Sequence, residues 1–172
     1  MDKIDDIIEQ LRVKNYESFD VFYDLTKNQV FYAIIHIVKD KDLAEDIMQD
    51  TYVKFLEKID QYKKDSNPYA YLSTIARNLA INVYNKNKRI VASEELIESI
   101  PASDDYIPNN EPDIFKILSY LDDDEKEVVS LHIINDLKFR EIAKIVDKPL
   151  GTVLWIYRKA IKKLKEHMGE FL

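Results

Sequence analysis

The stretch DKPLGTVLWIYRKAIKKLK, residues 147–165, has the pattern of a tight turn followed by an amphipathic helix. A residue before proline disfavours helical backbone, so the chain should turn at residues 147–149. From about Leu150 to Met168, apolar side chains recur with the period of one helix face. The predicted inward face consists of Val153, Tyr157, Ala160 and Leu164. The predicted outward face carries Leu154, Trp155, Arg158, Lys159 and Lys162.

A shorter helical pattern precedes this turn, between about Lys138 and Val146, with Phe139 and Ile142 among its apolar positions. Two short helices joined by a tight turn, the second ending in basic residues, are typical of a helix-turn-helix. In that motif the second helix enters the major groove of DNA. An ordinary amphipathic C-terminal helix would have the same period, so the pattern alone leaves both interpretations open.

The N-terminal half also predicts helices. Apolar residues recur at helical spacing over residues 19–38, and again over residues 40–59, where Asp40 is placed to cap the helix. Asn67 is a suitable N-cap, and the proline after it suits a first helical turn. The helix that they introduce should run over residues 69–88.

The period is lost over residues 90–112, which hold three of the five prolines, many acidic residues and no basic residue. This composition is typical of a linker. Helices resume beyond it, where Asp122 and Glu125 have the spacing of a capping box. The predicted fold is all-α, with two small helical domains, residues 1–89 and 113–172, joined by the acidic linker. The C-terminal domain contains the helix-turn-helix.

Composition narrows the function classes. The 172 residues include no cysteine, which excludes disulfides and thiolate metal sites. The three histidines, His36, His132 and His167, are scattered, so we predict no metal site. The N-terminus lacks the pattern of a signal peptide, and the longest apolar stretch, residues 30–38, is too short to span a bilayer. We therefore expect a cytoplasmic protein.

The net charge of −7 is unevenly distributed. Residues 63–89 carry six basic and one acidic side chain, and residues 138–172 carry nine basic and four acidic ones. The segments before each of these blocks are acidic. Because phosphate binding depends on local positive charge, the two basic blocks are candidate nucleic-acid contacts. Solvated helix faces are the alternative interpretation.

The segment FREIAKIVDKPLGTVLWIYRKAIKKLK resembles the C-terminal promoter-binding domain of bacterial RNA polymerase sigma factors of the extracytoplasmic-function type. The matching positions are an E-I-A run at residues 141–143, a G-T-V run at 151–153, Ala160 and Leu164. The N-terminal half resembles the same family. Its A-E-D-x-x-Q-[DE] run matches Ala44, Glu45, Asp46, Gln49 and Asp50, and its I-A-R-N run matches residues 75–78. The resemblance covers residues 18–89 and 113–166, in the family's domain order.

This resemblance implies a specificity subunit of RNA polymerase, with no catalytic site of its own, whose partners are core RNA polymerase and promoter DNA. The N-terminal domain would bind the polymerase and would recognise and melt the −10 element. The C-terminal domain would recognise the −35 element. An anti-sigma factor is the expected regulator.

Three groups of residues would perform these tasks. The polymerase-docking group lies on one side of a predicted helix and consists of Asp42, Asp46, Gln49, Asp50 and Glu57. The −10 group consists of Lys63, Lys64, Ser66, Asn67, Tyr71, Arg77, Asn78, Asn82, Lys86, Lys88 and Arg89. The −35 group consists of Arg140, Thr152, Leu154, Trp155, Arg158, Lys159 and Lys162. A plain solvated face is the alternative for the first group, and core packing is the alternative for Tyr71.

One departure from the family concerns the start of the recognition helix. The family commonly has Lys-Ser-Arg after G-T-V, whereas this chain has Leu154, Trp155 and Ile156. These side chains cannot make bidentate contacts to guanine. They would either contact thymine methyl groups and the sugar backbone, or pack on protein.

Three rival interpretations remain at this stage. A stand-alone helix-turn-helix regulator would explain residues 138–165 but not the N-terminal match. A carboxylate-dependent metal nuclease would use Asp46 and Asp50, although no second ligand cluster is evident. A sigma-like regulator that has lost promoter recognition would explain Trp155 and Ile156.

Overall fold

The computed structural model describes residues 3–64, 66–94 and 114–168. These residues form α-helices and one short 3₁₀ helix, with no strand among them, which confirms the predicted all-α class. They fall into two compact units that divide between residues 101 and 102. Most of the predicted linker lies outside the described residues.

The described residues of the first unit form four α-helices: α1 (Lys3–Arg12), α2 (Phe19–Val38), α3 (Lys41–Glu57) and α4 (Pro68–Glu94). The 3₁₀ helix (Ile59–Gln61) follows α3. Helices α2, α3 and α4 pack against one another, and α1 packs against α2 and the 3₁₀ helix. Helix α1 is an addition to the predicted set.

Aromatic side chains fill much of the core of the first unit. The rings of Phe22 and Phe55, both fully buried, are stacked with their centroids 5.0 Å apart. Tyr52 is also buried, and its hydroxyl is satisfied by the Thr26 hydroxyl at 2.8 Å. Burial raises the pKa of Tyr52, which matches a phenol that stays neutral in the core.

The two predicted N-caps of this unit are confirmed. The Asp40 carboxylate accepts a hydrogen bond from the Leu43 backbone N–H at 2.8 Å. The Asn67 side-chain oxygen accepts from the backbone N–H groups of Tyr69 and Ala70, at 3.0 and 3.3 Å. Helix α4 continues to Glu94, beyond its expected end near Lys88, so the start of the predicted linker is helical.

The second unit contains α5 (Ile114–Leu118), α6 (Asp123–Ile133), α7 (Phe139–Ile145) and α8 (Leu150–Met168). Helix α8 packs on both α6 and α7. The predicted inward face of α8 is confirmed, since Val153, Ala160 and Leu164 are buried and Tyr157 is half-buried. At the start of α6 the Glu125 carboxylate accepts from the Asp122 backbone N–H at 3.0 Å, as the capping-box spacing predicts.

The turn between α7 and α8 is short, as expected for a helix-turn-helix. Asp147 adopts a left-handed backbone conformation with φ of 53°, which reverses the chain in one residue. The Lys148 N–H then bonds to the Ala143 carbonyl at 3.1 Å. The Pro149 carbonyl accepts from the Val153 N–H at 3.1 Å and so begins α8. This turn fixes the direction in which α8 leaves α7.

Candidate nucleic-acid and protein interfaces

The predicted docking residues share one exposed face of α3. Its opposite side is buried and includes Ala44, Ile47 and Phe55. Asp42, Asp46, Gln49, Asp50 and Glu57 are all exposed. Of these five residues, only Glu57 has an ion pair with another described residue: its carboxylate lies 3.0 Å from the Lys54 ammonium. We call this surface the acidic α3 face.

The acidic α3 face has an apolar centre that the sequence analysis did not single out. Val53 lies three residues after Asp50 and four before Glu57, so it occupies the same side of the helix. Its side chain is 57% exposed. An exposed valine flanked by carboxylates combines charge attraction with apolar burial, which suits a protein surface that is basic around an apolar patch. The sequence contained this information, because Val53 has helical spacing with the acidic residues of the same face.

The predicted −10 residues before α4 are partly engaged within the protein. Lys63 and Lys64 are exposed. The Ser66 hydroxyl donates to the Lys63 carbonyl, and the Ser66 N–H bonds to the same carbonyl at 3.1 Å. The Asn67 side-chain oxygen caps α4, as described above. The backbone here is therefore held in a defined turn.

Tyr71 packs mainly against protein. Its ring lies edge-on to Phe55 and Tyr62, with centroid distances of 6.1 and 5.6 Å. Its hydroxyl donates to the Lys58 carbonyl at 3.2 Å, and burial raises its pKa. The ring remains partly accessible, so the core-packing alternative accounts for most, though not all, of its surface.

The remaining predicted −10 residues are distributed along α4. Arg77 is half-buried, and Asn78, Asn82, Lys86, Lys88 and Arg89 are exposed. Residues 68–89 extend over about 30 Å at a rise of about 1.5 Å per residue. The set is thus a long track that ends in three cations. A track of this length suits a nucleic-acid backbone better than a single small ligand.

In the second unit, the three departures from the family have three different environments. Ile156 is buried, with 4% of its surface exposed, and belongs to the core between the helices. Leu154 is half-buried. Trp155 is 61% exposed. Ile156 therefore packs within its own unit and reads no DNA, whereas Trp155 is available to a partner.

The polar residues expected at the −35 element also differ from one another, in their exposure and in their ion pairs. Arg140, Thr152 and Arg158 are exposed. The Lys162 side chain is 80% exposed and lies 3.9 Å from the Glu166 carboxylate. Lys159, in contrast, is held by α6: its ammonium lies 3.2 Å from the Asp122 carboxylate and 3.0 Å from that of Glu125.

Lys163 completes this arrangement, with its ammonium 2.9 Å from Asp122 and 2.7 Å from Glu125. We call the four residues the carboxylate–lysine cluster. Glu125 is only 2% exposed, so its charge depends on these two lysines. The Lys159 ammonium also lies 5.5 Å from the centroid of the Trp155 ring, within the range of a cation–π contact. Lys163 is not in the predicted −35 group, and its pairing with Asp122 and Glu125 depends on where α6 lies against α8.

The cluster shifts the titration of its members. Hydrogen bonds from Lys163 and then Lys159 lower the pKa of Asp122. Burial by itself would raise the pKa of Glu125, but hydrogen bonds from Lys163 and the Asp122 backbone, together with the nearby Lys159 ammonium, outweigh burial, and that pKa is lowered. Bonds to Glu125 and Asp122 raise the pKa of both lysines.

The described residues contain neither a group of metal ligands nor a membrane-spanning helix. Among residues 3–64, 66–94 and 114–168, no three His, Asp or Glu side chains are grouped as metal ligands. None of the helices in that part of the chain is both long and apolar enough to cross a membrane.

Comparison with known proteins yields two family matches. The Sigma-70 region 2 model matches residues 22–90, and the Sigma-70 region 4 model matches residues 117–166. The first match contains the acidic α3 face and most of α4. The second contains the helix-turn-helix.

Curated relatives and a solved structure agree with these matches. The ECF RNA polymerase sigma factor SigM of Bacillus subtilis (strain 168) is 28% identical over 155 residues, covering 86% of this chain and 94% of that protein. SigX of the same strain is 24% identical over 163 residues, covering 88% and 84%. The sigma factor RpoE of Bartonella quintana, solved in complex with the anti-sigma factor NepR, has 27% identity and a TM-score of 0.70. That alignment covers 89% of this chain and 98% of RpoE.

Both regions occur in the same order on one chain, and the relatives align over nearly their whole length. The chain therefore belongs to the sigma-70 family of bacterial RNA polymerase sigma factors, in its extracytoplasmic-function (ECF) branch.

Proposed function

We propose that this chain binds core RNA polymerase and directs it to specific promoters at the initiation of transcription. The observation that carries the proposal is the presence of both sigma regions, in order, on one chain. A stand-alone helix-turn-helix regulator would have no use for the region 2 match.

Within this function, the first unit docks on the polymerase through the acidic α3 face. The carboxylates attract a basic partner surface and speed its association. Val53, at the centre of the face, adds apolar burial, which is less sensitive to salt. The exposure of all five predicted docking residues supports this role.

The first unit also binds the −10 element, along α4. Lys86, Lys88 and Arg89 contact phosphates near the end of the helix, while Asn78 and Asn82 position or read bases. An unpaired base near Ser66 and Asn67 would stack on the accessible part of an aromatic ring, for which Tyr69 and Tyr71 are the nearest candidates in sequence. Residues 1–89 thereby combine docking with −10 recognition and melting.

The C-terminal domain, residues 113–172, recognises the −35 element through α8. Arg140, Arg158 and Lys162 contact phosphates. Thr152 and Trp155 lie in the first turns of α8, the part of a recognition helix that contacts base edges. The Trp155 ring and the Thr152 methyl group would contact thymine methyls, so an A·T-rich site is expected. Lys159 orients the Trp155 ring and is not primarily a phosphate contact, because its charge is already paired.

Catalysis belongs to the core polymerase, and this chain contributes specificity without a catalytic group, a metal or a cofactor. Its partners would act on it in the bacterial cytoplasm, where the polymerase and the DNA are located. The Bartonella relative binds an anti-sigma factor, and we propose a regulator of the same class here. Residues 90–112 connect the two units through an acidic segment.

The test is reconstitution with core polymerase from Bacillus subtilis, the source of SigM and SigX. The purified chain should co-elute with the core enzyme in gel filtration and should start transcripts at discrete positions on a promoter library. SigM serves as a positive control. Sequence-specific DNA binding without co-elution would contradict the proposal and favour a stand-alone regulator. Co-elution without selective initiation would favour a sigma-like regulator.

A further inference from the structure

Helix α1 reaches the segment that joins α3 to α4, and these contacts have no role in the function proposed above. We define the connection segment as Tyr62, Lys63, Lys64, Ser66 and Asn67. It follows the 3₁₀ helix and precedes α4. Helix α1 lies about fifty positions earlier in the sequence, so its contacts with this segment are tertiary.

The first contact is made by Arg12 at the end of α1. One guanidinium nitrogen donates to the Tyr62 carbonyl at 2.7 Å and to the Ile59 carbonyl at 3.2 Å. The other terminal nitrogen donates to the Glu9 carboxylate at 2.9 Å. A planar guanidinium held on one side by a carboxylate fixes the direction of its other donors. The backbone is therefore held where the connection segment begins.

The second contact is made by Asp5, a buried carboxylate with 6% of its surface exposed. The Tyr62 hydroxyl lies 2.7 Å from the Asp5 carboxylate and 2.7 Å from the Ser66 carbonyl. The hydroxyl has one proton and donates it to either acceptor, so its oxygen lies between α1 and the later part of the connection segment. Tyr62 itself is 3% exposed, and its ring is packed on Tyr71.

The two contacts act on both ends of the segment. Arg12 holds the carbonyl of Tyr62, and Asp5, through the Tyr62 hydroxyl, lies within reach of the carbonyl of Ser66. Asn67 comes next and caps α4. The positions of Ser66 and Asn67 relative to α3 consequently depend on α1 side chains, although no α1 residue need touch DNA.

We propose that α1 is a positioning element for −10 recognition, in which Asp5, Arg12 and Tyr62 set the shape of the connection segment for an unpaired base. The inference rests on the proposed function. These three residues touch neither polymerase nor DNA. Their effect is on how well a correct −10 base is distinguished from a wrong one.

The test compares Arg12→Met, Asp5→Ala and Tyr62→Phe in the full chain with core polymerase. Asp6→Asn is the matched control, since Asp6 is the exposed neighbour of Asp5 on α1. Asp5→Asn should behave like the unaltered chain because its amide oxygen still accepts from Tyr62. The promoter is one selected with the unaltered chain, together with copies substituted in the −10 or the −35 element.

The measured quantity is the ratio of initial transcription rates on the selected and the substituted promoters. We expect the −10 ratio to fall about five- to tenfold in the three test variants, the factor that one or two hydrogen bonds are worth. The −35 ratio and the affinity for core polymerase should stay unchanged. A purely structural role would lower both ratios together, or neither.

An unchanged −10 ratio in folded variants would overturn the inference, as would an equal loss with Asp6→Asn. If all three test variants unfold, the contacts serve stability alone and the inference is wrong. If the unaltered chain neither co-elutes with core polymerase nor selects a promoter, the proposed function itself fails. The two failures are therefore distinguishable.

Discussion

Ile156 and Trp155 are neighbours in sequence, but their environments are opposite. Ile156 is 4% exposed and Trp155 is 61% exposed. Ile156→Ala should lower the free energy of unfolding by about 3 kcal/mol, from lost burial and the cavity left behind. Trp155→Ala should change it by about 0.5 kcal/mol or less. Denaturant unfolding followed by circular dichroism measures both, and equal effects would contradict the assigned environments.

The Trp155 ring should act on DNA through thymine methyl groups. We expect Trp155→Ala to weaken binding to a −35 duplex about fivefold, since one apolar contact of this kind is worth about 1 kcal/mol. Replacing the contacted thymine by deoxyuridine, which lacks the methyl group, should weaken DNA binding by the unaltered chain by a similar factor. The two losses should not add, because they remove the same contact.

Fluorescence anisotropy of labelled duplexes measures this cycle. A duplex in which a thymine outside the −35 element is replaced by deoxyuridine is the control, and its affinity should not change. Additive losses for Trp155→Ala and deoxyuridine would mean that Trp155 contacts something other than the methyl group.

At the scale of helices, the carboxylate–lysine cluster makes the stability of the second unit depend on pH. Asp122 and Glu125 have lowered pKa values, so their stabilisation is present above the ordinary values of 3.8 and 4.5. It is lost as the pH falls through their lower folded values. Lys159 and Lys163 have raised pKa values, so their stabilisation is present below 10.5 and is lost as the pH rises through their higher folded values.

We therefore expect Glu125→Gln to lower the thermal midpoint of the second unit at neutral pH. On acidification, the midpoint of this variant should fall less than that of the unaltered chain. Trp155 is the single tryptophan and lies in the second unit, so its fluorescence reports this unit. Asp136→Asn is the control, because Asp136 is an exposed carboxylate outside the cluster. Equal acid dependence in Glu125→Gln and the unaltered chain would show that the cluster does not contribute.

The acidic α3 face leads to a prediction that separates charge from apolar contact. Asp50→Lys should weaken core polymerase binding about tenfold at low salt, and less at high salt, because exposed charges are screened. Val53→Ser should weaken it about threefold with little dependence on salt, by the loss of apolar burial. Affinity titrations at two salt concentrations measure both, with Asp24→Lys on α2 as the charge control. Equal losses for Asp24→Lys would mean that net charge alone matters.

Most helices and their caps follow from local rules, and the sequence was sufficient for them, although α1 was not in the predicted set. Asp40, Asn67 and the α8 stripe depend only on residues within a few positions. The burial of Ile156 and the pairing of Lys159 depend on where α6 and α7 lie. The contacts of α1 with Tyr62 cross about fifty positions. Periodicity carries no information on such pairings, so they could be identified only from the structure.

At the scale of the whole molecule, each unit has its own core. Phe55 is fully buried in the first unit, and Ile156 is buried in the second. A substitution in one core therefore removes contacts of that core. The two basic blocks divide in the same way, since residues 63–89 belong to the first unit and residues 138–172 belong to the second.

We expect destabilisation to stay within the unit where it is introduced. Phe55→Ala should cost the first unit about 3–5 kcal/mol by creating a cavity, while the Trp155 fluorescence midpoint stays unchanged. Ile156→Ala should lower the Trp155 fluorescence midpoint and leave the stability of the first unit unchanged. Amide hydrogen exchange resolves the two effects, because protection of α2 and α8 reports the stability of each unit separately. Loss of protection in α8 on Phe55→Ala would mean that the two cores are energetically coupled, and a single stability would then describe the whole chain.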